Sequence, residues 1–380
     1  MKILITGTHF TPAVAVIEEL KKYKDVRIVY VGRKSTLEGD NTQSQESRVL
    51  PALGVKFISI ISGRLQREFS IYTISSLLKI PVGFIQAFCI LLTEKPAVVL
   101  SFGGYVSMPV VFVGWLFSIP IIIHEQTLVY GLANRIGSFF ADKIALSFPS
   151  EKINAKSIFT GNPIRNEVIN VRPTHHQGIN ILITGGNQGS HVINLAVEES
   201  LDQLTKIASI IHVTGDNKYR DFERLKKIKK SKGLGGKYIL GKWIGDGWGS
   251  ILRKVDLVIS RAGINTLSEL SFLGIPALVI PIPYLYKRSL KTKFFKQAFK
   301  LVYQDEQNKN AEYFQKLGLV QILPQSALSA KALLKNVKMM LDELNNLNIK
   351  AKNAKKVIVP DAAKRLALET ILLLKATYYA

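Results

Sequence analysis

The sequence predicts an α/β protein built from two similar halves, each with a parallel sheet covered by helices. In the first half, the apolar run at 3–5 leads into a short loop and then a helical pattern. In the second half, the run I-N-I-L-I-T at 179–184 leads into a glycine-rich turn that opens a helix. Short apolar runs of this kind are typical of buried parallel strands. A chain of 380 residues, 47% hydrophobic and 21% charged, is long enough for two such domains.

The most informative stretch is 256–276, D-L-V-I-S-R-A-G-I-N-T-L-S-E-L-S-F-L-G-I-P. We interpret it as a strand, a glycine turn and a helix, with Asn265 or Thr266 as the expected cap. A helix start presents N–H groups and a partial positive charge, so it suits a phosphate. Glu269 lies about one turn further in, where its carboxylate suits the hydroxyls of a ribose. The alternative is an ordinary strand–helix connection.

Composition and charge limit the function classes. The single cysteine, Cys89, excludes an internal disulfide and fits a reducing cytoplasm. The N-terminus enters a strand at once, which does not resemble a signal peptide. The longest apolar stretch, 81–92, is short of the ~20 residues that a spanning helix needs. The formal charge of +23 indicates a polyanionic partner, namely nucleic acid, an anionic membrane or phosphorylated substrates, although a generally basic proteome is the alternative.

Polar residues follow three apolar strands of the first half. His9 follows the first strand, G-G-Y at 103–105 follows a later one, and H-E-Q at 124–126 ends another. The carboxyl ends of parallel strands are where α/β sheets bind ligands. A lone loop histidine is usually ordinary surface, but three such strand ends indicate a site.

Two segments combine cations with apolar residues. Residues 64–95 carry Arg64, Arg67 and Lys79 among many apolar side chains. Helices buried in an α/β fold are the favoured interpretation, and a patch that dips into a bilayer is the alternative. Residues 285–303 contain no acid and follow helical spacing. This segment is either a basic amphipathic helix for an anionic membrane or a solvated insertion.

A family resemblance follows from the ordered motifs. These are T-G-T-H-x-x-P-A, G-G-Y-V-S, H-E-Q, G-N-P-I-R, G-G-N-Q-G, S-R-A-G-I-N-T-L-S-E-L, G-I-P-A-L and D-E-Q-N-K-N-A. Together they resemble the MurG family, the bacterial glycosyltransferases that complete the lipid-linked peptidoglycan precursor. The resemblance extends from Ile3 to about Val320.

The resemblance implies a GT-B fold, in which two Rossmann-like domains with parallel sheets face a cleft. The expected domains are an acceptor-binding, membrane-facing domain at 1–163, a UDP-sugar domain at 164–360, and a final helix at 361–380 that returns to the first. The implied reaction moves N-acetylglucosamine, with inversion, from UDP-N-acetylglucosamine to the 4-hydroxyl of undecaprenyl-linked muramoyl-pentapeptide. The implied location is the cytoplasmic face of the membrane, as a peripheral protein.

The resemblance also implies residue roles on the donor side. Glu269 would take the ribose, Ile244 the uracil, and Arg165 and Asn187 the nucleotide or its phosphates. Gln307 and Asn310 would read the sugar. The residues that would hold the UDP moiety at the helix start are Arg261, Gly263, Ile264, Asn265 and Thr266.

The acceptor side is implied to include Thr8, His9, Tyr105, Glu125 and Thr127. Inverting transfer needs a base for the attacking hydroxyl. His9, with an ordinary pKa near ~6.5, suits that role, and Glu125 is the rival. No D-x-D occurs, so the sequence requires no metal, and no cofactor is expected.

The chain departs from the family pattern in several places. The first loop retains only G-T-H of a glycine-rich motif, Thr127 replaces the usual asparagine, Asn187 the usual serine, and Glu306 a glutamine or histidine.

Two rival functions remain open. One is a related transferase that glycosylates another lipid, such as diacylglycerol. The other is a basic nucleic-acid-binding protein. The sequence argues against it, because its cations are not interleaved with aromatic residues on a recognisable binding module. No nucleic acid is therefore expected as a partner.

Overall fold

The computed structural model describes residues 1–35, 43–63, 71–149, 155–172, 174, 176–186, 189–243, 247–283 and 305–378, with the backbone alone at 71–77 and 377–378. Contacts divide these residues into two units. Unit 1 contains the described residues of Met1–Arg165 and Val359–Ala380. Unit 2 contains those of Asn166–Arg288 and Asp305–Ile358.

Unit 1 is built on a parallel sheet with the strand order β3-β2-β1-β4-β5-β6-β7 in the described residues. Its strands are β1 (Lys2–Thr6), β2 (Arg27–Gly32), β3 (Lys56–Ser59), β4 (Val98–Ser101), β5 (Ile121–Glu125), β6 (Lys143–Leu146) and β7 (Ser157–Phe159). The first helices of the unit are α1 (Phe10–Leu20), α2 (Gln45–Ala52), α3 (Ile71–Glu94), α4 (Ser107–Leu116) and α5 (Leu132–Gly137). The central strands are buried on both faces, which explains their continuous apolar sequences.

Unit 2 repeats this plan, with the order β10-β9-β8-β11-β12-β13 in its described part. Its strands are β8 (Asn180–Thr184), β9 (Ser209–Val213), β10 (Tyr238–Gly241), β11 (Leu257–Ser260), β12 (Ala277–Val279) and β13 (Val320–Ile322). Its helices are α6 (Asn166–Ile169), α7 (His191–Ile207), α8 (Asp221–Ser231), α9 (Trp248–Leu252), α10 (Ile264–Leu273), α11 (Glu306–Lys316), α12 (Ala330–Asp342) and α13 (Leu344–Ala354). The strand pairs of both described sheets are parallel, so the predicted α/β fold with two parallel sheets is confirmed.

The last helix, α14 (Ala362–Tyr378), packs in unit 1. Leu366, Ile371 and Leu374 are buried in the same apolar cluster as Ile3 and Ile5 of β1. This helix also packs against α1. The C-terminal helix therefore completes the core on one face of the unit 1 sheet.

The strand order reverses once in each sheet. In unit 1 the reversal lies between β1 and β4, where Thr6 pairs with Ser101. In unit 2 it lies between β8 and β11, where Thr184 pairs with Ser260. Ligands of open α/β sheets bind at the carboxyl ends of the strands beside such a reversal. The fold thus places one candidate binding edge in each unit.

Helix α3 contradicts the favoured interpretation of the segment 64–95 as buried helices, as far as its side chains are described, from residue 78 onward. Residues 64–70, with Arg64 and Arg67, lie outside the described residues. On one side, Ala87 and Leu91 are buried in a cluster with residues of α4. On the other side, a stripe of large apolar side chains faces outward, with Leu78 71% and Ile85 65% exposed. The helix carries apolar residues on all of its faces, and this pattern is typical of a helix buried on all sides. Of its described side chains, however, those on one face are packed and those on the other are exposed. The exposed stripe, called here the α3 ridge, consists of Leu78, Val82, Ile85, Phe88 and Leu92.

Candidate active site

The start of α10 lies at the carboxyl end of β11, beside the strand reversal of unit 2. Gly263 is the N-cap, so the prediction that Asn265 or Thr266 caps the helix is wrong. Both lie within the first turn, after Ile264. The N-terminal N–H groups of a helix have no partners within the helix, and Gly263 has no side chain to bond them. Beyond its chain neighbours, no described atom lies within 4 Å of a Cβ built on Gly263, so the space beside it is open.

Arg261 precedes this helix start and is held by the neighbouring strand. Its Nη1 donates to the carbonyl of Ile280, which follows β12, at 2.9 Å. Burial lowers the pKa of Arg261 to about 10, so the guanidinium is still protonated at neutral pH. A guanidinium has five N–H donors, so one bond to a carbonyl leaves others for an anion. Arg261 therefore adds a fixed positive charge next to the first turn of α10.

Glu269 is buried in α10 and bonded to a residue that the sequence did not indicate. Its side chain is 3% exposed, and Oε2 accepts a hydrogen bond from Nε1 of Trp248 at 2.7 Å. Trp248 is the first residue of α9. A hydrogen bond to a carboxylate is shorter and stronger than a neutral one. The indole therefore fixes the orientation of the predicted ribose ligand.

Helix α11 brings two further predicted residues to this region. The side-chain oxygen of Gln307 accepts from the backbone N–H of Ile282 at 2.9 Å. Asn310 is fully buried, and its Nδ2 donates to the carbonyl of Ala262 at 3.2 Å. The Oδ1 of Asn310 has no hydrogen-bond partner among the described residues. Ala262 lies between Arg261 and Gly263, so the structure brings α11 and the helix start together.

Three other donor-side predictions are placed differently. Asn187 and Ile244 lie outside the described residues, as does the basic segment 285–303. Arg165 is the last residue of the first stretch of unit 1, whereas the α10 start belongs to unit 2. The predicted donor-side residues that the structure describes in unit 2 are Arg261, Gly263, Ile264, Asn265, Thr266, Glu269, Gln307 and Asn310.

In unit 1, the turn after β4 presses against the loop after β1. Gly103 and Gly104 have φ angles of +71° and +85°, which residues other than glycine rarely adopt. The backbone N–H of Thr8 donates to the carbonyl of Gly103 at 3.0 Å. A Cβ on Gly104 would lie 2.1 Å from Oγ1 of Thr8. The two glycines are therefore needed for this contact, and Tyr105, which packs against the apolar core, follows directly.

His9 is the N-cap of α1 and does not have the ordinary pKa that the sequence suggested. Desolvation by its surroundings and, second, the charge of Arg33 lower its pKa to about 4. Part of the residue still reaches the surface. The imidazole is therefore neutral at pH 7 and able to accept a proton. Arg33 was not predicted, because it follows β2, far from His9 in the sequence.

Glu125 is 3% exposed, and four hydrogen bonds engage its two oxygens. Oε1 accepts from the backbone N–H and the hydroxyl of Thr127 at 3.1 and 2.8 Å. Oε2 accepts from the N–H of Gly131 at 3.1 Å and from Nδ2 of Asn134 at 2.9 Å. Burial raises the pKa of Glu125, and bonds from Asn134 and Thr127 oppose that rise. The carboxylate thus joins the end of β5 to the start of α5.

His124, beside Glu125, is buried between strand ends. One ring nitrogen lies 3.0 Å from Oγ of Ser147 and 3.3 Å from the carbonyl of Gly161. Burial lowers the pKa of His124 to about 3, so it is neutral as well. Among the described residues, no group of three or more His, Cys, Asp or Glu side chains could hold a metal ion.

Family comparisons match both halves of the chain. The model of the glycosyltransferase family 28 N-terminal domain matches residues 4–146, and that of the family 28 C-terminal domain matches residues 180–293. A protein of Bacillus cytotoxicus named UDP-N-acetylglucosamine–N-acetylmuramyl-(pentapeptide) pyrophosphoryl-undecaprenol N-acetylglucosamine transferase is 31% identical, over 96% of this chain and 97% of its own. A protein of Listeria welshimeri with the same name is 32% identical, over 98% and 99%.

Solved structures support the fold. The crystal structure of MurG from Acinetobacter baumannii has a TM-score of 0.67 and 22% identity, and the match covers 98% of this chain and 99% of that one. A complex of Staphylococcus aureus MnaA with UDP has a TM-score of 0.64 and 14% identity, over 98% and 97%. At these identities the likeness concerns the fold alone.

Two parallel α/β units with glycine turns at their strand reversals, matched by both family 28 models, define a two-domain glycosyltransferase of the GT-B type. Since curated relatives at 31–32% identity cover nearly the whole chain, the chain belongs to the MurG family. The resemblance seen in the sequence motifs is confirmed.

Proposed function

We propose that this protein transfers N-acetylglucosamine, with inversion, from UDP-N-acetylglucosamine to the 4-hydroxyl of muramoyl-pentapeptide diphosphoryl-undecaprenol. The observation that supports the donor side is the start of α10, where the N-cap Gly263 makes no side-chain hydrogen bond, the space at Gly263 is open, and the cation of Arg261 lies beside it. A diphosphate leaving group needs such fixed positive potential, because negative charge develops on it as the glycosidic bond breaks. The names of the relatives supply the substrates.

Glu269 is the proposed ligand of the ribose hydroxyls. A carboxylate accepts hydrogen bonds and donates none, so it matches a pair of hydroxyls. The bond from Trp248 holds the group in one orientation before the nucleotide arrives. Gln307 and Asn310 are proposed to read the sugar, and the unpartnered Oδ1 of Asn310 is an acceptor for one of its hydroxyls.

His9 is the proposed catalytic base on the acceptor side. Its neutral imidazole at physiological pH accepts the proton of the attacking hydroxyl. Glu125 is a less suitable base, because its oxygens already accept four hydrogen bonds. A proton on Glu125 would weaken bonds that hold the 127–131 loop. Thr8, Tyr105, Glu125 and Thr127 are proposed to shape the acceptor site around His9.

The acceptor is a lipid, so the enzyme must meet a membrane surface. Of the helices in the described part of the chain, none is long and apolar enough to cross one. The α3 ridge offers five outward apolar side chains, with Lys79 within the helix and Lys95 directly after it. Apolar side chains flanked by cations suit an anionic bilayer interface. We therefore propose that the ridge rests on the cytoplasmic leaflet as a peripheral contact.

The transfer itself tests the proposal. Purified protein is incubated with UDP-N-acetylglucosamine labelled in the sugar and with the muramoyl-pentapeptide lipid, and label is followed into the lipid phase. Glu269→Ala serves as the matched variant. It loses the charge-assisted bonds to the ribose, which should reduce the free energy of donor binding by on the order of 1.5–3 kcal/mol. We expect the wild type to transfer label into the lipid and the Glu269→Ala variant to transfer less. No label with the wild type would refute the proposed reaction.

A further inference from the structure

One buried amide contacts the ends of two central strands of unit 1. Asn134, in α5, is 6% exposed. Its Nδ2 donates to the carbonyl of His124 at 3.2 Å and to Oε2 of Glu125 at 2.9 Å, both at the end of β5. Its Oδ1 lies only 2.5 Å from where a Cβ on Gly103 would be, in the turn after β4. Asn134 therefore packs directly against the backbone of that turn.

The contact continues from the glycine turn to the proposed base. The carbonyl of Gly103 accepts the N–H of Thr8 at 3.0 Å, and Gly104 packs against the Thr8 side chain. His9 is the next residue and caps α1. Both glycines are in left-handed conformations with no room for a side chain, so their backbone is in direct contact with Asn134 on one side and Thr8 on the other. A displacement at Asn134 therefore reaches the His9 backbone through three close contacts.

The amide of Asn134 is satisfied at one end only. Its Oδ1 has no hydrogen-bond partner among the described residues, and neither have Nδ1 of His124 and Oε1 of Gln126. Buried polar atoms are bonded in most proteins, because an unbonded one costs about 1–3 kcal/mol. Three such atoms on 124–134 indicate that this region is arranged for a purpose other than maximal stability.

We propose that Asn134 is a positioning residue for the transfer reaction: through Gly103 and Thr8 it fixes the location of the His9 imidazole, while it orients the Glu125 carboxylate. This inference rests on the proposed function. It assigns Asn134 no contact with the reacting atoms. A shift of ~1 Å in a catalytic group is enough to lower a rate by about a hundredfold, so the loss of the amide acts on turnover more than on donor binding.

Three variants of the full chain test the proposal. Asn134→Ala removes the amide, and Asn134→Asp keeps its shape but replaces the donor with a carboxyl group. Thr370→Ala is the control, because Thr370 is a fully buried polar residue of the same unit, on α14, that bonds only within its own helix. The measurements are kcat, the KM for UDP-N-acetylglucosamine, the pH profile of kcat, and the melting temperature.

We expect kcat of Asn134→Ala to fall by about 10- to 100-fold, with the donor KM changed by less than about twofold. Thr370→Ala should retain wild-type kcat. In Asn134→Asp, two adjacent carboxyl groups share a proton at lower pH and so regain the lost donor. Its kcat relative to wild type should therefore rise as the pH falls from about 8 to about 5.5.

Two results would overturn the positioning role. One is a kcat for Asn134→Ala equal to that of Thr370→Ala when both are folded at the assay temperature. The other, which decides the matter if Asn134→Ala does not fold, is an Asn134→Asp variant whose kcat relative to wild type is independent of pH. A wild type that transfers no label refutes the proposed function instead, and the two failures are thereby distinguished.

Discussion

Nε1 of Trp248 donates to Oε2 of Glu269 at 2.7 Å, and this bond joins the start of α9 to the middle of α10. The pair lies 21 residues apart in the sequence, and Glu269 is the side chain proposed to bind the ribose. A hydrogen bond to one oxygen restricts the orientation of a carboxylate.

The first prediction concerns this anchor. Trp248→Phe keeps an aromatic ring but removes the N–H donor, so Glu269 loses a hydrogen bond that restricts its orientation. We expect the Kd for UDP, measured by calorimetry, to rise by about tenfold, equivalent to ~1.4 kcal/mol. Trp115→Phe, at a half-exposed indole in unit 1, is the control and should not change UDP binding. A Trp248→Phe variant with wild-type affinity would separate the indole from the nucleotide site.

The second prediction concerns the space beside Gly263. Its φ of −73° suits any residue, and no described atom beyond its chain neighbours lies within 4 Å of a Cβ there, so Gly263→Ala should fold normally. A methyl group in that space would obstruct a diphosphate at the helix start, and we expect UDP affinity to fall by roughly tenfold or more. Gly236→Ala is the control, since that exposed glycine of unit 2 also has open space. Equal affinities for the two variants would exclude diphosphate binding at Gly263.

The third prediction concerns the pKa of the proposed base. His9→Ala should lower kcat by roughly a hundredfold or more, while donor binding persists. Because the pKa of His9 is lowered to about 4, protonation of His9 should not reduce kcat/KM until the pH approaches that value. The charge of Arg33 contributes to this lowering, so its removal should move the acid limb of the profile to higher pH.

A paired substitution removes that charge together with its ion-pair partner, whose own charge does not contribute to the lowered pKa of His9. Arg33 bonds Glu46, which is almost fully buried, so Arg33→Met with Glu46→Gln avoids an unpaired buried carboxylate. Glu19→Gln with Lys22→Met removes another ion pair of unit 1 and is the control. An acid limb that does not move in the first double variant would show that the limb reports a group other than His9.

The fourth prediction concerns the α3 ridge. Leu78→Ser with Ile85→Ser removes the two most exposed side chains of the ridge. Full burial of each in a bilayer would contribute about 1.5–3 kcal/mol to the free energy of membrane binding. We expect sedimentation with phosphatidylglycerol vesicles to fall by at least tenfold. Leu368→Ser with Leu372→Ser is the control, because these half-exposed residues of α14 lie outside the ridge. Undiminished vesicle binding by the ridge variant would make another surface the membrane contact.

Local patterns predicted the strands and helices that position the site. The apolar runs before His9, Gly103, Glu125 and Arg261 are strands, as expected, because a parallel strand buried on both faces carries a continuous apolar sequence. Repetition of one plan in both halves predicted two sheets. The cap of α10 was assigned wrongly, since Asn265 and Thr266 are good capping residues but the helix begins one residue after Gly263.

Contacts between distant segments were beyond sequence reasoning. Trp248, Arg33 and Asn134 occur in no motif that indicates a partner, and each acquires its role from the fold. The lowered pKa of His9 depends on burial and on Arg33, neither of which spacing reveals. The exposure of the α3 ridge was the alternative rather than the favoured interpretation, because composition cannot tell which side of an apolar helix packs.

A competition between acceptors tests the central claim most directly. Labelled UDP-N-acetylglucosamine is offered to the protein with equal amounts of the muramoyl-pentapeptide undecaprenyl lipid and diacylglycerol in mixed vesicles. The products are separated, and the anomeric coupling of the new glycosidic bond is read by NMR. We predict label in the muramoyl lipid alone, joined by a β-linkage that shows inversion. Label in diacylglycerol, or an α-linkage in the product, would contradict this account.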